Sequence, residues 1–332
     1  MLSRVADGLY WMSRYLERAE HTARLLAVGL NLMLDQTPDS AEPRWSRLLA
    51  ALHTAPPPEG AADTYAITRE LTFQHANANA IVSCVALARE NARQVRQQIS
   101  SEMWEQLNRL YLFVRAASVE QIWQGEPIEF YQAIKEGAHL FQGVTDATMT
   151  HGEGWYFIQV GRYLERAGAT ALLLDVHFRP FLDASSDDAT LLLEYNDWVG
   201  LLKCCTAFEA YCKVYTADVQ PKTVAEYLLL DGEFPHSIRF AADRIERGLQ
   251  AIAQSTGLRS AGRAERLAGR LRASLDYGQV DEIMAENMHA YLDGIQRQCT
   301  AIHSAIYQTY VSYPVEAVLA RQAVHPARSM SP

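Results

Sequence analysis

The sequence predicts an all-α protein, a bundle of about ten helices, and three observations carry that expectation. Apolar residues recur every three or four positions along most of the 332-residue chain. No segment sustains the strict alternation of a strand bounded by hairpin turns. Prolines and short polar runs fall between the periodic stretches, where they separate one helix from the next.

The elements follow in order. From Leu2 to about Asp35, Met12, Leu16, Ala19, Ala23, Leu26 and Leu30 keep helical spacing with no proline to oppose it. The stretch 36–63, with Pro38, Pro43 and the Pro56-Pro57-Pro58 run, reads as a loop interrupted by one short helix near Arg44 to His53. Helices are expected at about Thr64 to Gln74, at Asn79 to Gln98, and from Ser101, read as an N-cap, to Trp123. Pro127 in a first turn opens another that runs to about Thr150. The turn His151-Gly152-Glu153-Gly154 leads into a helix through Phe178, stopped by Pro180. Beyond the polar break Ser185-Ser186-Asp187-Asp188 come helices at about Ala189 to Tyr215, Pro221 to Leu230, Pro235 to Gln254, Leu258 to Leu275 and Val280 to Tyr310. Residues 1–320 are expected to form one helical domain; a short helical pattern at Val315 to Gln322 follows Pro314, and the Pro- and Ser-rich 323–332 are expected to be a disordered tail.

Composition narrows the function classes. With 30 Lys and Arg against 39 Asp and Glu, and no basic run, neither nucleic acid nor a membrane surface is expected as a partner. No signal-peptide pattern opens the chain, and no uncharged apolar run approaches the roughly eighteen residues that span a bilayer, so a cytoplasmic protein is expected. Cys84, Cys204, Cys205, Cys212 and Cys299 form no Cys-x-x-Cys pair and are read as reduced, buried small hydrophobes. There is no Gly-x-x-x-x-Gly-Lys loop, no Gly-x-Gly-x-x-Gly and no His-Glu-x-x-His, so no metal and no cofactor is expected. Two Glu-x-x-His pairs, Glu136 with His139 and Glu286 with His289, have the spacing of di-iron bundle ligands, but both project to the polar side of their helices and are read as solvated.

One feature stands apart. Arg14-Tyr15-Leu16-Glu17-Arg18-Ala19 recurs word for word as Arg162-Tyr163-Leu164-Glu165-Arg166-Ala167, 148 positions later, and the match continues through Thr22 and Thr170, Ala23 and Ala171, Leu25 and Leu173. Two pseudo-repeated halves, starting near residues 1 and 150, are therefore expected. At 100° per residue Arg14, Glu17, Arg18 and His21 share one stripe. Taken alone this would be a solvated face of weak ion pairs. Aromatic and aliphatic residues at both ends of each stripe, however, place the clusters against protein, a partner or an enclosed cavity. There the charges must be paired, and two arginines per glutamate leave one guanidinium free for a carboxylate or phosphate. An inter-helix network, an anion pocket and an interface all remain open on this evidence.

These residues carry a resemblance. Ser3 to Asp7, Tyr10-Trp11-Met12, the doubled Arg-Tyr-Leu-Glu-Arg-Ala, Arg89 to Arg93, His151 to Trp155, Ala207 to Tyr211 and Phe234 to Phe240 resemble the alpha-E family, a bacterial all-helical group named for its Glu-Arg motif. The likeness runs from residue 1 to about 320, with His21 standing where the family more often has Asn. It implies that the motif carries over to Glu17, Arg18, Glu165 and Arg166. It also implies partners: a circularly permuted ATP-grasp protein and a transglutaminase-like protein, in a peptide-synthesis or peptide-modification system. The expected role is an accessory helical subunit whose Arg-Glu clusters organise the bundle or hold an anionic group. The alternative is an enzyme in which the clusters form an anion-binding active site for amide-bond chemistry, with Glu17 or Glu165 as acid or base.

Arg14, Glu17, Arg18, Arg162, Glu165 and Arg166 are thus the first site candidates, and no residue is assigned as catalytic. Glu90 and Arg93 are candidates to complete the cluster from a neighbouring helix, His151 to form the lip of a pocket, and Arg239 is a further candidate. Cys204, Cys205 and Cys212 lie on an apolar helix with only Lys203 near, and core packing is favoured over a nucleophile.

Overall fold

The structure is a computed structural model and describes residues 1–34, 41–54, 63–182, 195–256 and 262–312. Among these residues there are fifteen α-helices and no strand. The expected tail at 323–332, the pattern at Val315 to Gln322 and the helix starts near Ala189 and Leu258 lie outside the described residues.

The helices are α1 (Ser3–Leu34), α2 (Ala41–Ala51), α3 (Thr64–Phe73), α4 (Ile81–Gln94), α5 (Ser101–Ala116), α6 (Val119–Gln124), α7 (Pro127–Thr148) and α8 (Glu153–Phe178). They continue with α9 (Tyr195–Cys204), α10 (Phe208–Tyr215), α11 (Pro221–Leu230), α12 (Ile238–Ser255), α13 (Arg263–Asp276), α14 (Val280–Glu286) and α15 (Met288–Ile306). There are more of them than the periodicity implies, because three expected long helices are interrupted by local chemistry that periodicity does not register. The Ser101 to Trp123 helix breaks at Ala117, and Ser118 restarts the chain as α6 through a capping box with Gln121. The stretch to Tyr215 breaks where Thr206 takes a left-handed φ of 51°. Val280 to Tyr310 breaks at Asn287, whose side chain caps α15 by accepting from the Ala290 amide. The α5 cap is Ser100, one residue before the expected Ser101.

α1 and α8 run through the centre. From Val5 to Leu30 and from Gly154 to Phe178 no residue is exposed, so both helices are enclosed on all sides and their polar stripes must be paired within the protein. α1 packs against α4 and α7, and α5 packs against α4 and α7, closing a four-helix group. α8 packs against α12 and α15, and α13 against α12 and α15, closing a second. The two groups join where α1 lies against α8, and one continuous apolar cluster runs through both. Glycine makes that junction close: a Cβ at Gly161 would stand 2.5 Å from the Tyr10 carbonyl oxygen.

Candidate functional site

The close contact at Gly161 brings the two motif copies together crosswise. Glu165 on α8 accepts from two α1 arginines, Arg14 Nε at 2.7 Å and Arg18 Nε at 2.6 Å, one on each carboxylate oxygen. Glu17 on α1 is held by one, Arg166, which donates through Nε at 2.6 Å and Nη2 at 3.0 Å, while Gln142 on α7 donates to Glu17 at 3.3 Å. Each second-position arginine also reaches a neighbouring turn. Arg18 donates through Nη1 to Asn79 Oδ1 at 2.7 Å, and Arg166 through Nη1 to the Pro235 carbonyl at 3.2 Å. Arg162, the counterpart of Arg14, makes no ion pair among the described residues; it donates to Gln159 and to the Tyr163 hydroxyl. A bidentate fork on one carboxylate and two single bonds on the other leave different donors over: Nη2 of Arg14 and of Arg18 has no hydrogen-bond partner among the described residues.

Burial differs in the same sense. Glu17 is 3% and Arg166 7% exposed, whereas the side chains of Arg14 and Arg18 are 14% and 25% exposed. Burial pushes the Glu165 carboxyl up, but Arg14 and Arg18 and their hydrogen bonds outweigh it and hold the group below the ordinary carboxylate range. With both oxygens engaged, Glu165 is an anchored anion. Arg14 is further fixed by Tyr10 Oη at 3.2 Å, by His303 Nδ1 at 3.1 Å, and by lying 4.7 Å over the Trp11 ring.

Arg14, Arg18, Asn79, Glu165 and His303 line a cavity of about 310 Å³ that reaches from the α1–α8 junction to α15, the end of α2 and Leu71 of α3. Arg14 and Arg18 against Glu165 give its polar wall one surplus positive charge. His21 and His303 do not add to it: burial lowers both imidazoles, with the neighbouring arginines pushing the same way, and His21 falls to about 4. The rest of its lining includes an aliphatic set, Leu52, Leu71, Leu164 and Leu172. At the rim, His53 holds a left-handed φ of 52° after α2, with the Thr54 amide bonded back to the Leu49 carbonyl at 2.9 Å. A non-glycine residue in this conformation costs on the order of 1 kcal/mol, so His53 is placed at the cavity against its local preference.

The secondary candidates lie elsewhere. Glu90 and Arg93 pair with each other on an exposed face of α4, at i and i+3, and do not reach the cluster, because the polar stripe of α4 turns outward. The cluster is completed instead by Asn79, in the turn before α4 that was expected to be helical. His151 is exposed, stacked on Trp155 at 4.2 Å and bonded to the Asp146 carbonyl, and lines no part of the cavity. Arg239 bonds Asp276 and the Leu230 carbonyl, tying α12 to α13 and α11. Of the two Glu-x-x-His pairs, neither histidine is merely solvated: Glu136 bonds Gln132 at the surface but His139 lies 3.5 Å from the buried Glu20 of α1, and His289 bonds the buried Asp175 of α8. Burial pushes the Cys204 and Cys205 thiols up to about 12, which suits core packing and not a nucleophile.

Sequence reasoning missed a second buried charge group beside the first. Glu20 and Arg24, 1% and 2% exposed, sit 3.0 Å apart on α1, and Arg24 Nη1 lies 3.3 Å from His236 Nε2. The i, i+4 spacing of Glu20 and Arg24 was readable, but it is also the commonest pattern of a solvated helix face.

Comparison with known proteins adds a family. An uncharacterized protein of Mycobacterium bovis is 24% identical over 342 residues, and two uncharacterized proteins of Mycobacterium tuberculosis strains are 24% and 23% identical over the same length. In each case 94% of this chain is covered but only 37% of the relative, so the chain spans little more than a third of the curated relatives it matches. No solved structure matches. The model of the Alpha-E family, described as a predicted alpha-helical domain with a conserved ER motif, matches residues 1–311, and the chain belongs to that family.

Proposed function

We propose that this chain is an accessory helical module that holds an anionic group in the cavity at Arg14 and Arg18. The observation that carries the reading is the surplus guanidinium: Glu165 engages the Nε of two arginines and leaves Nη2 of both unpartnered at a cavity of about 310 Å³. The fully engaged Glu165 suits a holding site better than one with a general base. The partner it serves is the one that family resemblance implies, a circularly permuted ATP-grasp protein acting with a transglutaminase-like protein in peptide synthesis or modification. That the relatives carry the corresponding stretch within much longer chains supports a module that works joined to others. Five free thiols suit the reducing cytoplasm. The two halves descend from one duplicated unit on this reading. The exact six-residue repeat supports that history, as does the order of packing, in which α1, α4, α5 and α7 match α8, α12, α13 and α15.

The test is purification of the protein at native level from its own cells, wild type beside Arg18→Ala, with mass spectrometry of the associated proteins and small molecules, followed by thermal unfolding with acetate and phosphate. Recovery of an ATP-grasp protein, with a stabilisation by anions that the variant loses, is the expected result. A chain that recovers no such partner and is indifferent to every anion would refute the reading.

A further inference from the structure

The cavity at Arg14 and Arg18 is lined by two unlike sets of residues, and together they describe a ligand more closely than its charge does. Arg14 and Arg18 of the polar wall each keep an Nη2 without a partner among the described residues, a donor available to an oxyanion. The wall carries one surplus positive charge, which a carboxylate balances and a phosphoryl dianion overcompensates. The same lining carries four aliphatic residues, Leu52, Leu71, Leu164 and Leu172, which offer apolar contact to a side chain. Gln296 of α15 also lines the cavity, only partly buried, and its side-chain amide has no partner among the described residues. A primary amide offers both a donor and an acceptor, the complement of a peptide group.

The cavity also indicates what the ligand lacks. Both Glu165 oxygens accept from arginines and the Asn79 oxygen accepts from Arg18, so no carboxylate is left to receive an ammonium, and the nearby guanidiniums would repel one. A free amino acid would bring such a group next to its carboxylate.

Resting on the anion-holding reading above, we infer that the ligand is an N-acylated aliphatic α-amino acid unit, its carboxylate on Arg14 and Arg18, its side chain against the leucines and its amide at Gln296. The same chemistry could come from a small acylated amino acid or from the C-terminal residue of a peptide.

Isothermal titration of the full chain with N-acetyl-leucine, N-acetyl-leucinamide, leucine, N-acetyl-Ala-Ala-Leu, acetate and inorganic phosphate tests this. N-acetyl-leucine is expected to bind, with the amide and free leucine at least tenfold weaker. N-acetyl-Ala-Ala-Leu binding as well as N-acetyl-leucine identifies a peptide end, and its exclusion identifies the small acylated form. Leu52→Trp, which fills the aliphatic end from a half-buried position, should weaken N-acetyl-leucine at least tenfold and leave acetate unchanged. Phosphate binding more tightly than N-acetyl-leucine, or equal binding of the amide, overturns the ligand class while leaving an anion site in place. Failure of every anion to bind overturns both.

Discussion

The two copies of Arg-Tyr-Leu-Glu-Arg-Ala are the same six residues on the same kind of central helix, yet they end in different chemistry. Glu17 and Arg166 close on each other as a bidentate pair, sealed by Gln142 and the Pro235 carbonyl. Glu165 is spread over Arg14 and Arg18, which keep unpartnered donors and line a cavity. The difference arises one turn away. In the first copy Tyr10, Trp11 and His303 brace Arg14 toward Glu165, whereas in the second Gln159 and Tyr163 draw Arg162 away from Glu17. On the proposed reading the doubled motif divides its labour, one copy fastening the helices and the other offering charge.

The largest effect should come from breaking the sealed copy. Arg166→Ala leaves the Glu17 carboxylate buried without a cation, and removal of one partner of such a pair costs about 3–5 kcal/mol. Replacing both, as Glu17→Leu with Arg166→Met, removes the stranded charge and should recover most of that loss in urea denaturation. A double variant as unstable as the single one would mean that the pair itself, and not merely its neutrality, holds α1 to α8.

The next effect tests two buried histidines, His21 beside the motif copies and His177 near the end of α8. His21 and His177 are held neutral, chiefly by burial, at about 4, against an unfolded value near 6.5. Between those values the unfolded chain binds the protons and the folded one does not, so stability falls as pH drops from 6.5 toward 4. Each histidine contributes on the order of 3 kcal/mol to that fall. Below about 4.5 the lowered Glu165 carboxyl adds a loss of the same sign, because its stabilisation is present above the unfolded value and disappears as pH falls through the folded one. His21→Asn should flatten the upper part of the curve by one histidine's share. An unchanged slope would place the acid sensitivity elsewhere.

How much of this was legible follows from what each signal depends on. The helical class and the enclosure of both clusters were readable, because the aromatic and aliphatic residues flanking Arg14 and Arg162 are incompatible with a solvated face. The breaks at Ser118, Thr206 and Asn287 were not, since each rests on a cap or a left-handed turn inside an unbroken periodic pattern. Glu90 and Arg93 failed as candidates because they sit on the outward side of α4, where they pair with each other in solvent. Asn79, Gln296 and His303 could not be found at all. Each reaches the cavity through tertiary packing from a segment with no motif of its own.

The smallest effect on stability should separate the two copies most sharply. Arg18 is a quarter exposed and Glu165 keeps Arg14, so Arg18→Ala should cost only about 1 kcal/mol, far less than its counterpart Arg166→Ala. Its effect on binding should be the reverse. Stabilisation by acetate, followed as a rise in Tm with concentration, should disappear in Arg18→Ala, while a folded double variant at Glu17 and Arg166 retains it. Arg93→Ala, in the exposed pair on α4, should change neither quantity and marks the baseline for both. If Arg18→Ala and Arg166→Ala destabilise equally and neither alters the response to acetate, the two copies share one structural role and the division of labour argued here fails.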